Sequence, residues 1–510
     1  MNADGHAETG SATPGGSSGA GPQLFDPARV GCSFAGLPPN FYTRVAPRPL
    51  TEPRLLHAEP GVAAGLGLDE SALRSPAFLA LASGSGRLPG VQPLATVYSG
   101  HQFGVWAGQL GDGRAHLLGD VDGPQGVREI QLKGSGRTPY SRMGDGWAVL
   151  RSSIREYLAS AAMTGLGIPT TQALALVASR DPVVRETLET AAVVTRVAPS
   201  FVRFGHFEHW ARSPAEQGIL LDYVVARWFP DCKAGSAARP DRPATACRLL
   251  EDVTGRTARL LAQWQLAGFC HGVMNTDNMS ILGLTLDYGP YGFMDAFQAG
   301  HVCNHSDTLG RYAWNAQPAV AQWNLTRLAE SLLVLGCRAA DLEAALAPFE
   351  RTFLQAYHAG LARKFGLSDW RPEDAALGDD WWALLHAQRA DFTLAFRRLA
   401  DAGTDAQAWL GLFADPQPAR LWLDRYLARR AQSGPSDETR RAAMLRANPL
   451  YVLRNHLAQR AIEAAQGGDA SEIGRLMELL RDPWTERPGR EAYARPPAAD
   501  APAVAVSCSS

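Results

Sequence analysis

No stretch of this 510-residue chain approaches the roughly 20 consecutive apolar residues that a membrane-spanning helix needs, so no membrane partner is expected. Charge of neither sign dominates: 49 Lys and Arg stand against 51 Asp and Glu. Without a basic excess the chain does not read as a general nucleic-acid binder. The seven cysteines (32, 232, 247, 270, 303, 337 and 508) include no CxxC pair. That leaves neither a zinc site nor a secreted disulfide scaffold, and it points to a reducing compartment, the cytoplasm. Two phosphate-binding signatures are missing as well. There is no GxxxxGK[ST] loop, and the loop Gly108–Arg114 (GQLGDGR) fails the GxGxxG spacing. Residues 1–22 hold no aromatic residue and no apolar run, and the first Lys or Arg is Arg29. A secretory or transit signal is therefore not expected, and a disordered tail over 1–30 is.

What is present suits a globular α+β chain with more than one core, 46% of its residues being hydrophobic. The region around GQLGDGR reads as strand, glycine turn, strand. In REIQLK, Ile130 and Leu132 alternate against Glu129, Gln131 and Lys133, a strand that ends on the lysine. Backbone N–H groups at Gly111 and Gly113, beside Arg114, are able to approach phosphates, although a plain hairpin is the commoner use of such a turn. Asp145 and Gly146 turn into a helix expected over 147–164, with Gly165 as its C-cap. On that helix Glu156 lies off the centre of the Val149, Ile154, Leu158 and Ala161 stripe, where a solvated glutamate is the plainer reading. VVTRVAPSFVRF reads as a hairpin about Pro199–Ser200, which makes Arg196 and Arg203 cross-strand partners. Like charges so placed are tolerated where an anion lies between them; the alternative is two unrelated surface arginines.

A helix over 246–269 leads into His271–Gly289, HGVMNTDNMSILGLTLDYG. Its second apolar run, SILGLTL, reads as a short buried strand delivering Asp287 to a DYG turn. Asn278 and Asp287 offer the hard oxygen ligands that Mg²⁺ prefers. Glycine turn, strand lysine, helix glutamate, His/Asn/Asp loop and DYG follow one another in the order of a protein-kinase-like fold. The expectation is a β-rich N-lobe over 31–205, a helical C-lobe with added C-terminal helices over 206–482, and an extended tail over 483–510. HGVMNTDN aligns with the HGDxxxxN loop of kinase-like phosphotransferases, but Val273 stands at the position of the base and cannot accept a proton. Asp277 is the nearby carboxylate able to replace it.

With these residues in view, the sequence resembles the selenoprotein O family, protein adenylyltransferases with a pseudokinase fold. The blocks YSGHQFGVWAGQLGDGRA, QLKGSGRTPYSRMGDGWAVLRSSIREYL, VTRVAPSFVRFGHFE, HGVMNTDNMSILGLTLDYGPYGFMD and CNHSD carry the resemblance, over roughly residues 35–480 and the tail. It implies that ATP binds in a reversed orientation and that AMP passes to Ser, Thr or Tyr hydroxyls of protein substrates, releasing pyrophosphate. It places ATP contacts on Gly111, Gly113, Arg114, Lys133, Asp145, Gly146, Arg196, Arg203 and Asp287. It puts Mg²⁺ (or Mn²⁺) on Asn278 and Asp287, the base on Asp277, and a Lys133–Glu156 pair beside them. The tail VSCSS resembles the family's redox-active end, so a redox role is expected of Cys508, with Cys303 in the loop after DYG as its partner. Two rivals stand beside this reading. One is a phosphotransferase moving the γ-phosphoryl group, against which Val273 counts. The other is an inactive nucleotide-binding scaffold, against which the retained Lys133, Asn278 and Asp287 count.

Overall fold

The computed structural model describes residues 23–236, 239–432, 434–498, 500–502 and 504–507. A nine-stranded antiparallel sheet occupies the first part of the chain, and the rest is mainly helical. Across the sheet the strands run Tyr42–Arg44, Leu94–Thr96, Ala115–Gly123, Gly126–Lys133, Leu188–Ala198, Gln172–Val184 and Arg54–Ala58. Val30–Gly31 adds to Ala115–Gly123, and Ala148–Val149 adds to Leu188–Ala198.

Alternation along the strands sorts side chains between two faces. Leu118, Ile130, Leu132, Val193 and Val197 pack with Leu66, Phe78 and Leu81 of the short helices laid over one face. Leu117, Ala192, Val194 and Ala198 belong to the cluster of the other face, with Ile154, Tyr157 and Leu158 of the helix Leu150–Gly165. Gln131 and Lys133 sit out of phase with Ile130 and Leu132, and so reach the side where that helix carries Glu156. A further apolar cluster, built on Trp381, Trp409 and Trp422, joins the helices beyond residue 360. Among the described residues no helix is long and apolar enough to cross a membrane.

Several local expectations are corrected. The helix begins at Leu150 rather than 147, because Ala148 and Val149 are taken by the sheet opposite Ala192 and Ala191. Gly165 is its last residue rather than its cap, and is glycine for a different reason: a Cβ there would lie 1.9 Å from the Leu480 carbonyl oxygen. No hairpin forms about Pro199–Ser200. The strand stops at Ala198, and Arg203 is the N-cap of a helix, Phe204–His209. Ser280–Leu286 is not a strand either; a turn at Gly283 splits it, leaving single bridges of Ser280 to Arg203 and of Thr285 to Met279 and to Thr170. Residues 23–30, grouped with the N-terminal tail, are folded onto the sheet: Phe25 is buried and Val30 pairs with Val121.

Candidate functional site

The long helix Arg242–Ala267 ends on Gly268 in the left-handed conformation and passes into a two-stranded ribbon, Phe269–Cys270 against Gly292–Phe293. That ribbon ties off the loop that carries the chemistry. Inside it His271 is buried; its ring stacks on Trp264 with centroids 5.2 Å apart, and its Nε2 donates to the Leu286 carbonyl at 2.8 Å. The histidine thus fixes the residue preceding Asp287. Asn278 turns its amide nitrogen to the Val273 carbonyl at 3.0 Å, which keeps its own carbonyl oxygen for another partner.

Facing this loop, the sheet supplies cations. Lys133 Nζ lies 2.6 Å from Glu156 Oε2 and 3.2 Å from Asp287 Oδ1. Arg196 bridges the same two carboxylates, with Nε on Glu156 and Nη2 on Asp287. Arg203 Nη1 donates to Asp287 Oδ2 at 2.7 Å and to the Asp277 carbonyl at 2.9 Å. Asp287 therefore gathers three cationic groups, and its backbone is left-handed at φ 58°, a conformation that aspartate tolerates better than most residues. Burial pushes its carboxyl up, but Arg196, Lys133 and Arg203 outweigh burial and hold it well below the usual carboxylate range. Glu156 behaves likewise: burial opposes ionisation, and Arg196 with Lys133 overcomes it. Lys133 is shifted down, first by burial and then by Arg196.

Asp277 differs. It is buried, its Oδ2 accepts from Gln102 Nε2 at 3.2 Å, and its Oδ1 has no hydrogen-bond partner. Burial, opposed in part by Arg203, pushes its carboxyl up to about 6.

These groups line a cavity of about 500 Å³ between sheet and loop. Gly111, Gly113, Arg114, Lys133, Asp145, Gly146, Arg196, Arg203, Asp277, Asn278 and Asp287 all contribute to its wall, as does Val273. Glu156 stands one layer behind, reached only through Lys133 and Arg196. At Gly111, φ is 143° and a Cβ would sit 2.5 Å from the Tyr140 ring, so only glycine allows the loop to lie this close. Asp145 is engaged sideways, with Oδ2 and Oδ1 at 2.7 and 3.0 Å from the two terminal nitrogens of Arg185. The cation it places in the wall, Arg185, went unnoticed in the sequence.

Asp112 was missed as well. It is buried inside the glycine loop, and its carboxylate accepts from the Thr96 amide at 2.9 Å and the Thr96 hydroxyl at 2.7 Å, anchoring the loop to the sheet. An Asp between two glycines gives no sign that it will turn inward. Arg155 was also missed. It donates to the Tyr291 carbonyl at 2.6 Å while Tyr291 donates back to the Arg155 carbonyl at 2.7 Å, locking the Glu156 helix to the segment after DYG.

Cys303 is buried with its thiol on the Pro290 carbonyl at 2.9 Å, and burial together with neighbouring Cys270 pushes its pKa well up. Its expected partner, Cys508, lies outside the described residues. The tail reaches this neighbourhood: the Val506 carbonyl accepts from the His305 amide at 2.9 Å.

A cavity with a glycine-bounded wall, and cations collected around one carboxylate with Asn278 in the same wall, has the form of a site for nucleotide phosphates. It is the site of a transferase class, and comparison with known proteins narrows the class to a family. A sequence model described as protein adenylyltransferase SelO matches residues 28–481, and the chain belongs to that family of nucleotidyltransferases. A protein nucleotidyltransferase YdiU of Bordetella petrii is 61% identical over 490 residues, which cover 94% of this chain and 98% of the relative. Proteins of the same name from Ralstonia nicotianae and Dechloromonas aromatica are each 50% identical, over 94% of this chain and 95% and 97% of their own lengths.

Proposed function

We propose that this chain transfers AMP from ATP to hydroxyl groups of protein substrates, using a protein-kinase-like pair of lobes, 31–205 and 206–482, that closes around the cavity. The observation that carries the reading is the convergence of Lys133, Arg196 and Arg203 on Asp287, in a cavity where Val273 stands in place of a phosphotransferase base. Three cations sharing one aspartate are poised to exchange it for phosphate oxygens, which arginine matches bidentately. With ATP reversed, the β- and γ-phosphates take Lys133, Arg196 and Arg203, helped by Arg114 and the Gly111 and Gly113 amides, and the α-phosphate faces Asp277. The cations stabilise charge building on the pyrophosphate as the bond to the α-phosphorus breaks. Asp277, ionised at neutral pH and unpartnered at Oδ1, receives the proton of the attacking Ser, Thr or Tyr hydroxyl.

The residues suit a divalent metal shared with the nucleotide. Asn278 keeps an amide oxygen free, and Asp287 gains free oxygens once phosphates take its cations. These two residues supply only part of a divalent metal's oxygen ligands, and phosphate oxygens would complete the set. When bound there, Mg²⁺ or Mn²⁺ supplies charge neutralisation at the phosphoryl oxygens. The cytoplasm, a reducing compartment supplied with ATP, is where this reading places the protein. The described cysteines are free thiols, and a regulatory Cys303–Cys508 link belongs to the same reading. Non-reducing peptide mapping after mild oxidation checks that link, and its consistent absence removes it.

Incubation with α-³²P-ATP or γ-³²P-ATP and casein as acceptor tests the reaction. Label from the α position alone is expected. Label from γ makes the protein a kinase, and no label from either makes it a scaffold.

A further inference from the structure

Between the strand Leu94–Thr96 and the glycine loop, the chain makes a separate hairpin, Ser99–Gln102 against Val105–Gln109. Its inner strand is pinned to the catalytic loop. His101 N donates to Thr276 Oγ1 at 2.8 Å, Gln102 Nε2 donates to Asp277 Oδ2 at 3.2 Å, and Phe103 N donates to Asn275 Oδ1 at 3.2 Å. Its outer strand has no other strand partner among the described residues. Val105 and Trp106, on that outer strand, are 70% and 50% exposed. The Trp106 ring is held edge-on to His101, with centroids 5.1 Å apart, so it is positioned rather than loose. An apolar strand edge open to solvent invites pairing, and proteins commonly blunt such edges with lysine, proline or a covering segment. SGHQFGVWAGQ contains no Lys, Arg, Asp, Glu or Pro.

We propose that this hairpin is the acceptor-docking element of the site. Its open edge takes an extended stretch of the protein substrate as a further strand, and Trp106 receives an apolar side chain of that stretch close in sequence to the hydroxyl presented at Asp277. The occupant follows from continuity. Val105 and Trp106 pair with Gln102 and His101, the residues bonded to Asp277 and Thr276, so a strand laid along the edge runs past the cavity mouth. The apolar side chain falls near the acceptor in sequence, because Trp106 pairs with the residue next to Gln102, the partner of Asp277. Backbone pairing supplies affinity for many sequences, and the apolar contact supplies the selection.

The inference rests on the adenylylation reading, and its test separates the two. Dodecapeptides carrying one Tyr among Gly, Ala and Gln, with a single Leu walked through positions on either side, are labelled with α-³²P-ATP by wild type and by Trp106→Ala. Wild type is expected to favour Leu at one or two positions by about fivefold or more through KM for peptide. Trp106→Ala is expected to lose that preference with KM for ATP unchanged, and N-methylation of alternate peptide amides to weaken binding. A preference that is absent in wild type, or intact in Trp106→Ala, overturns the docking assignment while leaving adenylylation standing. A dimer of wild type that Trp106→Ala dissolves gives the edge to a second copy and likewise overturns it. A wild type that labels neither the peptides nor casein overturns the adenylylation reading and this inference with it.

Discussion

Asp287→Asn is expected to lower AMP transfer by roughly three orders of magnitude, the scale of losing a preorganised charge-stabilising group, while metal-free ATP binds as well as before or better. The two effects separate because Asp287 does two jobs. Without nucleotide it neutralises Lys133, Arg196 and Arg203 at once. An asparagine keeps the shape and tolerates the left-handed backbone at φ 58°, but it leaves Lys133 and Arg196 sharing Glu156 and takes from Arg203 its ion-pair partner. The triphosphate then meets cations that no longer have to give up an aspartate, so affinity without metal holds or rises. Turnover is expected to collapse because the amide cannot supply the anionic oxygen that would hold a divalent metal in the proposed site. Calorimetric titration with ATP, with and without Mg²⁺, together with initial rates of α-label transfer, reads both arms. A loss of rate below tenfold removes Asp287 from the proposed metal site.

The groups that meet in this cavity were legible because each sits in a local pattern. Lys133 ends a strand whose alternation is plain in REIQLK, and Asn278 and Asp287 flank an apolar run. What could not be read was depth. Glu156 lies off the apolar stripe of its helix by periodicity, yet it is buried, because Lys133 and Arg196 of the sheet neutralise it from the side that a single helix cannot reveal. Arg203 was placed near Arg196 by an imagined hairpin. The two meet instead because strand end, helix cap and DYG turn converge on one carboxylate, a coincidence of three elements far apart in the sequence. Ser280–Leu286 had the composition of a strand, and Gly283 folded it into a turn. The kinase-like order of motifs pointed to the cavity, while Asp112, Arg155 and Arg185, which brace its walls, carry no periodic signal, and for the first two the surrounding blocks do not tell which way the side chain turns.

Asp277→Asn is expected to cost two to four orders of magnitude in kcat/KM, the range a positioned general base contributes, and to remove the acid limb of the pH profile. Burial lifts the Asp277 carboxyl to about 6, with Arg203 restraining the rise. As the base must be ionised to accept the hydroxyl proton, wild-type kcat/KM is expected to climb tenfold per pH unit below about 6 and to level off above it. Two neighbouring carboxylates do not produce this limb: Asp287 and Glu156 are held below their ordinary values by Arg196 and Lys133 and stay ionised throughout, whereas burial raises Asp112 of the glycine loop and Glu208 beside His101. His271 is shifted down by burial and already donates Nε2 to the Leu286 carbonyl, away from the acceptor. Gln102, the partner of Asp277 Oδ2, has no proton to lose in this range. Loss of the limb on removing this one carboxyl therefore assigns it to Asp277, and the asparagine variant should show a flat, low profile there with its KM for ATP little changed. If the variant keeps the limb, or retains more than a tenth of the activity, the proton leaves the acceptor by another route, and Asp277 is reduced to holding the Gln102 hairpin in place.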